Sequence, residues 1–175
     1  MKKMYFIAIY PSQKIIDAVK VFQKDLASNF NNSKALKNDA HITLLPPFER
    51  ELTMENDIHV AFDKIDTDIS PFEVELNGFG SFPNPNSPVL FVQPEENESL
   101  KHLFLNIKEV FTFNKRSFNP HMTIGYRDLS FENYLKAWEI YREKEFKTKF
   151  TVDKISLLRH DRKWIPIAEK KLSGK

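Results

Sequence analysis

Phe118-Asn119-Pro120-His121-Met122-Thr123-Ile124-Gly125 is the stretch on which the fold and chemistry of this chain turn, and its centre, His121-Met122-Thr123-Ile124, has an earlier counterpart in His41-Ile42-Thr43-Leu44. Polar and apolar residues alternate in both, the period of a half-buried strand. Successive strand side chains point to opposite faces, so His41 shares a face with Thr43, and His121 with Thr123. Ile42, Leu44, Met122 and Ile124 then face a core. With five His and seven Thr in 175 residues, random placement would supply only about 0.2 His-x-Thr tripeptides. Two copies therefore call for a common explanation.

The segments on either side of the two motifs also match. Met4 to Tyr10 reads as a strand, and Ile15, Val19, Phe22 and Leu26 follow at helical spacing. The His41 strand comes next, and Pro46-Pro47 are expected to end it because proline cannot donate to a ladder. Ile58, Ala61, Phe62 and Ile65 mark a short helix, and Phe72, Val74 and Leu76 alternate with polar residues as a strand. From Val89 the order repeats: an apolar run ending at Pro94, a helical stripe from Leu100 to Phe111, the His121 strand, a third amphipathic segment with Leu135, Trp138 and Tyr141, and a strand around Phe150. The apolar phase slips between Val152 and Ile155, which suggests a bulge.

The order strand, helix, His-x-Thr strand, helix, Phe-x-Val strand thus occurs twice. It predicts a single α+β domain over 1–175, made of two pseudo-repeats (about 1–83 and 86–163) and a C-terminal strand. Duplicated units tend to pack about a pseudo-two-fold axis with a crevice between them. That crevice is the predicted site.

Composition narrows the function. Lys and Arg total 26 against 24 Asp and Glu, a net charge of +2, so bulk attraction to nucleic acid or to an anionic membrane is not expected. The absence of Cys rules out disulfides, a thiolate nucleophile and Cys-ligated zinc. The opening MKKMYFIAIYP has too short an apolar run for a signal peptide, and no apolar stretch approaches the roughly 18 residues of a membrane span. A soluble, cytoplasmic protein is expected. Neither a Walker phosphate loop nor a nucleophile elbow is present, Gly78-Phe79-Gly80 fails as a dinucleotide fingerprint, and no HExxH occurs. No cofactor and no metal are expected.

Two histidines facing one crevice can supply a base and an acid near neutral pH. Threonine hydroxyls two residues along can donate to an anionic oxygen between them. A base, an acid and hydroxyl donors around a tetrahedral anion suit in-line displacement at phosphorus. Tyr10, before Pro11, is the aromatic best placed for the crevice mouth, and Lys115-Arg116 and Arg159-His160 lie near strand ends that could line it.

From Met4 to Leu172 the chain resembles the two-histidine (2H) phosphoesterase superfamily, which includes bacterial 2'-5' RNA ligase-like proteins and cyclic nucleotide phosphodiesterases. The family signature is a pair of H-x-[TS]-hydrophobic motifs about 80 residues apart, here HITL at His41 and HMTI at His121, with the FNPH lead-in. The resemblance implies a bilobal fold with antiparallel sheets flanked by helices and a central cleft. It implies general acid–base catalysis by His41 and His121, with Thr43 and Thr123 holding phosphate oxygens. A symmetric pair leaves open which histidine is the base and which the acid; for a cyclic-phosphate opener the family pattern suggests the second-motif histidine as base.

The implied substrate is a 2',3'-cyclic phosphate or a 2'-5' RNA-type diester, and the expected substrate-binding residues are Tyr10, Phe48, Tyr126 and Arg127. Two departures from the family pattern stand near them. Leu45-Pro46-Pro47 precede Phe48, and Tyr126 separates Gly125 from Arg127. A monomer is expected. The competing expectation is a non-catalytic RNA or nucleotide-binding module that uses the same crevice.

Overall fold

The computed structural model describes residues 1–174, with eight strands and four α-helices among them. The strands are β1 (Lys2–Ile9), β2 (Ile42–Glu51), β3 (Phe72–Phe82), β4 (Val89–Pro94), β5 (Met122–Gly125), β6 (Lys147–Val152), β7 (Lys154–Asp161) and β8 (Lys163–Lys171). The helices are α1 (Gln13–Phe30), α2 (Glu55–Asp63), α3 (Glu98–Val110) and α4 (Phe131–Tyr141), and a 3-10 turn, Lys34–Lys37, precedes β2. The strands form two antiparallel four-stranded sheets, ordered β2-β1-β7-β8 and β5-β4-β3-β6.

The two sheets are built alike. Each has a His-x-Thr strand at one edge, β2 or β5, paired with the first strand of its own half, β1 or β4. The third strand comes from the other half: β7 lies beside β1, and β3 beside β4. The repeats read from the sequence are therefore not the sheets, since each sheet draws on both halves of the chain.

The helices cross over in the same sense. Helix α1 packs against β5 and α3 against β2, and the two His-x-Thr strands touch each other. The apolar stripe of α1 drives its docking: Ile15, Val19 and Leu26 are buried, and each such side chain contributes about 1.5–3 kcal/mol on leaving water. Asn97 caps α3 by accepting from the Leu100 N–H, and Ser130 caps α4 by accepting from the Asn133 N–H. Helix α1 stops at Asn31, which takes the left-handed conformation (φ 54°) and turns the chain toward β2.

Two details of the strands differ from the sequence reading. Pro46 and Pro47 do not end β2, which runs on to Glu51. The strand is at the sheet edge, and its register against β1 shifts between Leu45 and Phe48, so the prolines fall where ladder donors are not all required. The phase slip near Asp153 is a change of sheet rather than a bulge: β6 pairs with β3 in the second sheet, and β7 with β1 in the first. No helix among the described residues is long and apolar enough to cross a membrane.

Candidate active site

His41 and His121 each stand one residue ahead of an edge strand, and the same device orients both. The Nδ1–H of His41 donates to the Asp39 carbonyl at 2.7 Å, and that of His121 to the Asn119 carbonyl at 2.9 Å. A carbonyl only accepts, so the hydrogen of the neutral ring sits on Nδ1 and Nε2 keeps its lone pair. Each ring also rests on two aromatic rings. His41 lies 5.3 Å from Phe6 and 5.4 Å from Tyr10 between centroids, and His121 lies 5.0 Å from Phe82 and 5.4 Å from Phe91.

The threonines follow the strand alternation. Ile42, Leu44, Met122 and Ile124 are buried, while Thr43 and Thr123 are half-buried on the opposite face. Thr43 pairs with Ala8 and Thr123 with Phe91, and one residue beyond each threonine the ladder shifts register, so that Leu45 and Gly125 pair with Ile7 and Leu90. Bulges of this kind re-aim side chains at strand edges. Here they end the His-x-Thr ladder at the same point in both sheets.

Both imidazoles and both threonines line one cleft of about 710 Å³. Asn38, Tyr126 and Arg127 form one group on its wall, in which Asn38 Nδ2 donates to the Tyr126 hydroxyl at 3.0 Å and the Arg127 guanidinium lies 5.1 Å from the Tyr126 ring centroid. Lys115, Arg116 and Phe118 form another, with Phe118 packed on Phe104. A second pocket of about 540 Å³ shares Asn38, Asp39, His41 and Trp164 with the cleft and adds Tyr10. Among the described residues no group of three or more His, Asp or Glu side chains is placed to hold a metal ion.

Burial is the main influence on both imidazoles and lowers each pKa from 6.5. Smaller influences differ between them. At His41 the backbone bond to Asp39 and the Asp39 charge raise the pKa, while the positive charge of His121 lowers it. At His121 the backbone bond to Asn119 raises it and the charge of Arg116 lowers it. Burial and the Asp39 charge push the Tyr10 hydroxyl up to about 12, so Tyr10 stays protonated at neutral pH.

The structure brings His41, Thr43, His121, Thr123, Tyr126 and Arg127 together, with Tyr10 beside them in the adjoining pocket. Arg127 reaches the cleft because β5 ends at Gly125 and Arg127 takes a positive φ of 60°. Phe48 is a correction. The continued strand turns its ring toward Tyr5, Phe111 and Phe113, where it is 9% exposed and outside the cleft. Arg159 also lies elsewhere, paired with Glu55 and Asp161, whereas Lys115 and Arg116 do line the cleft.

The aromatic rings beside the histidines were not legible, because Phe6 and Phe91 fall in apolar strand runs and Phe82 carries no pattern that marks a site. Gly80 offered the one signal. A Cβ there would lie 2.3 Å from Cε2 of Phe91, so only glycine admits the ring on which His121 rests.

Comparison with known proteins bears on the family and the fold. Residues 11–164 match the model of the 2'-5' RNA ligase superfamily. A protein of Geobacillus sp. (strain WCH70), provisionally named a phosphoesterase, is 33% identical over 158 residues, covering 88% of this chain and 86% of that one. An Archaeoglobus fulgidus protein named RNA 2',3'-cyclic phosphodiesterase is 29% identical over 126 residues, covering 69% of this chain and 70% of its own. Among solved structures, E. coli LigT complexed with 3'-AMP superposes with a TM-score of 0.69 at 17% identity, covering 99% of each chain. A cleft lined by two equivalent His-x-Thr strands, within a fold and sequence of this kind, places the chain in the 2'-5' RNA ligase superfamily of two-histidine phosphoesterases.

Proposed function

We propose that the protein is a metal-independent phosphodiesterase that opens 2',3'-cyclic phosphates or cleaves 2'-5' RNA-type diesters, with His41 and His121 as acid and base. The observation that carries this reading is the pair of imidazoles in one cleft, each locked by its Nδ1 onto a backbone carbonyl so that Nε2 is the atom left for proton transfer. His121 Nε2 takes a proton from water as the water attacks phosphorus. His41, protonated, gives its Nε2 proton to the departing ribose oxygen. Thr43 and Thr123 donate to the non-bridging oxygens, and Arg127 and Arg116 offset the negative charge of the phosphoryl group.

The local charges differ in the sense this assignment needs. Asp39 favours the imidazolium at His41, and Arg116 disfavours it at His121. The Archaeoglobus relative and the nucleotide bound to LigT support the substrate class. The direct test is turnover of 2',3'-cyclic nucleotides and 2'-5' dinucleotides by the purified protein. Product is expected, and its yield should be unchanged by EDTA. Saturable binding without any product would favour the binding-module alternative, and loss of activity with EDTA would contradict the metal-independent mechanism.

The pH profile is a second test. The active form carries one proton across the two histidines, and both pKa values lie below 6.5. The profile of kcat/KM should therefore be bell-shaped with both limbs below about pH 6.5, falling about tenfold per unit on the alkaline side. An optimum above pH 7 would contradict it. The same shifts have a stability consequence. Because the folded pKa values lie below the unfolded one, the neutral histidines' contribution is complete above pH 6.5 and is lost as the pH falls through the folded values.

A further inference from the structure

The pocket of about 540 Å³ that adjoins the cleft is lined by His41 but by neither His121 nor Thr123, so it lies on the His41 side of the site. Strand pairing fixes its place. Ala8 stands opposite Thr43 on one side and opposite Ser156 on the other, so the three residues share one face of the first sheet. Ser156 is thus two strand spacings, roughly 10 Å, from Thr43. It lines the pocket and is 5% exposed. Its hydroxyl has no hydrogen-bond partner among the described residues, yet the oxygen is not sealed from solvent.

The charges in this pocket do not cancel. Its carboxylates, on Asp39 and Glu169, each have a lysine already: Lys20 lies 3.5 Å from Asp39, and Lys154 lies 3.0 Å from Glu169. Lys37 and Lys163 also line the pocket, and neither has an ion-pair partner among the described residues. A cavity with spare ammonium groups and a free hydroxyl suits a phosphate group.

The proposed reaction puts a particular phosphate within reach. Water enters beside His121 and the ribose oxygen departs beside His41, so the ribose of a cyclic phosphate lies on the His41 side of phosphorus. At an RNA end that ribose carries the next phosphate on its 5' oxygen, one sugar away. A nucleoside 2',3'-cyclic phosphate carries nothing there.

We infer that this pocket is a second phosphate subsite, in which Lys37, Lys163 and the Ser156 hydroxyl bind the phosphate on the 5' oxygen of the terminal nucleoside. The inference rests on the reading of His41 as the acid and deepens it: the site is fitted to the cyclic end of an RNA chain over a free mononucleotide. Binding energy gained away from the reacting atoms then appears in kcat/KM.

The test compares kcat/KM for adenosine 2',3'-cyclic phosphate with that for its 5'-phosphorylated form, and with that for the dinucleotide ApA ending in the same cyclic phosphate, where the 5' phosphate is a diester. Each phosphate-bearing compound should be favoured by at least about tenfold, which one hydrogen bond to a charged group is enough to supply. Lys37→Gln combined with Lys163→Gln should bring both ratios close to one, and since both side chains are exposed the fold should be kept. A wild-type ratio near one for either compound would overturn the inference without reference to any variant. Ratios unchanged in the double variant would do the same. Failure of the wild type to open any of these compounds would count against the proposed activity instead. The subsite would then be decided by the Kd ratio of adenosine 3'-monophosphate to adenosine 3',5'-bisphosphate, with at least tenfold supporting it and parity overturning it.

Discussion

Alanine at either His41 or His121 is expected to lower kcat for cyclic-phosphate opening by about 10²- to 10⁴-fold, the usual contribution of a general acid or base. Removing both should cost little more than the worse single change, because acid and base act in the same step. The fold should survive. Both rings are half-buried, and the carbonyls that each substitution releases, on Asp39 and Asn119, belong to exposed residues that water can reach. Thermal melts of the variants beside single-turnover rates make the check. A variant that folds and keeps more than about a tenth of the activity would remove that histidine from the chemistry.

Asp128 carries the second large expectation, on stability. Its carboxylate sits just after β5 and accepts from Asn32 Nδ2 at 2.5 Å, the Ser33 hydroxyl at 3.0 Å, and the Ser33 and Lys34 N–H groups at 3.1 and 3.2 Å. It thereby anchors the start of the 3-10 turn that leads to Asn38, Asp39 and His41. Asp128→Ala should cost about 2–3 kcal/mol, given the worth of hydrogen bonds to a charged group, and lower Tm by roughly 5–10 °C in a domain of this size.

The loss should depend on pH. Burial alone would raise the Asp128 pKa, but the N–H groups of Lys34 and Ser33 and the Ser33 hydroxyl outweigh it and hold the carboxyl below 3.8. The anchor's contribution is therefore present above that value and is lost as the pH falls through the lower, folded one. Melts of the wild type and Asp128→Ala should converge in strong acid. A constant gap across the range would mean that the carboxylate charge does not carry the effect.

The His-x-Thr strands were legible because alternation and spacing are local properties, and Ile42, Leu44, Met122 and Ile124 are buried as their phase requires. Partnership between strands is not local. Nothing in Val152-Asp153-Lys154 distinguishes a bulge from a step into another sheet, since that depends on whether β3 or β1 is waiting alongside. Pro46-Pro47 misled for a related reason: proline is excluded from a strand only where its neighbours on both sides demand a donor, and β2 has a neighbour on one side alone. Phe48 was expected in the cleft on the family pattern alone, and the continued strand carries its ring to Tyr5, Phe111 and Phe113 instead.

The exchange of strands between the sheets sets the order in which the molecule can assemble. Strand β1 is synthesised first, yet its inner neighbour β7 leaves the ribosome only when most of the chain has emerged, and β3, which can pair with β4 at once, has to wait for β6 on its other side. The early half thus cannot close its own sheet, and pairings so distant along the chain are slow to form. Loss of structure on heating should accordingly be a single cooperative event, with neither lobe outliving the other.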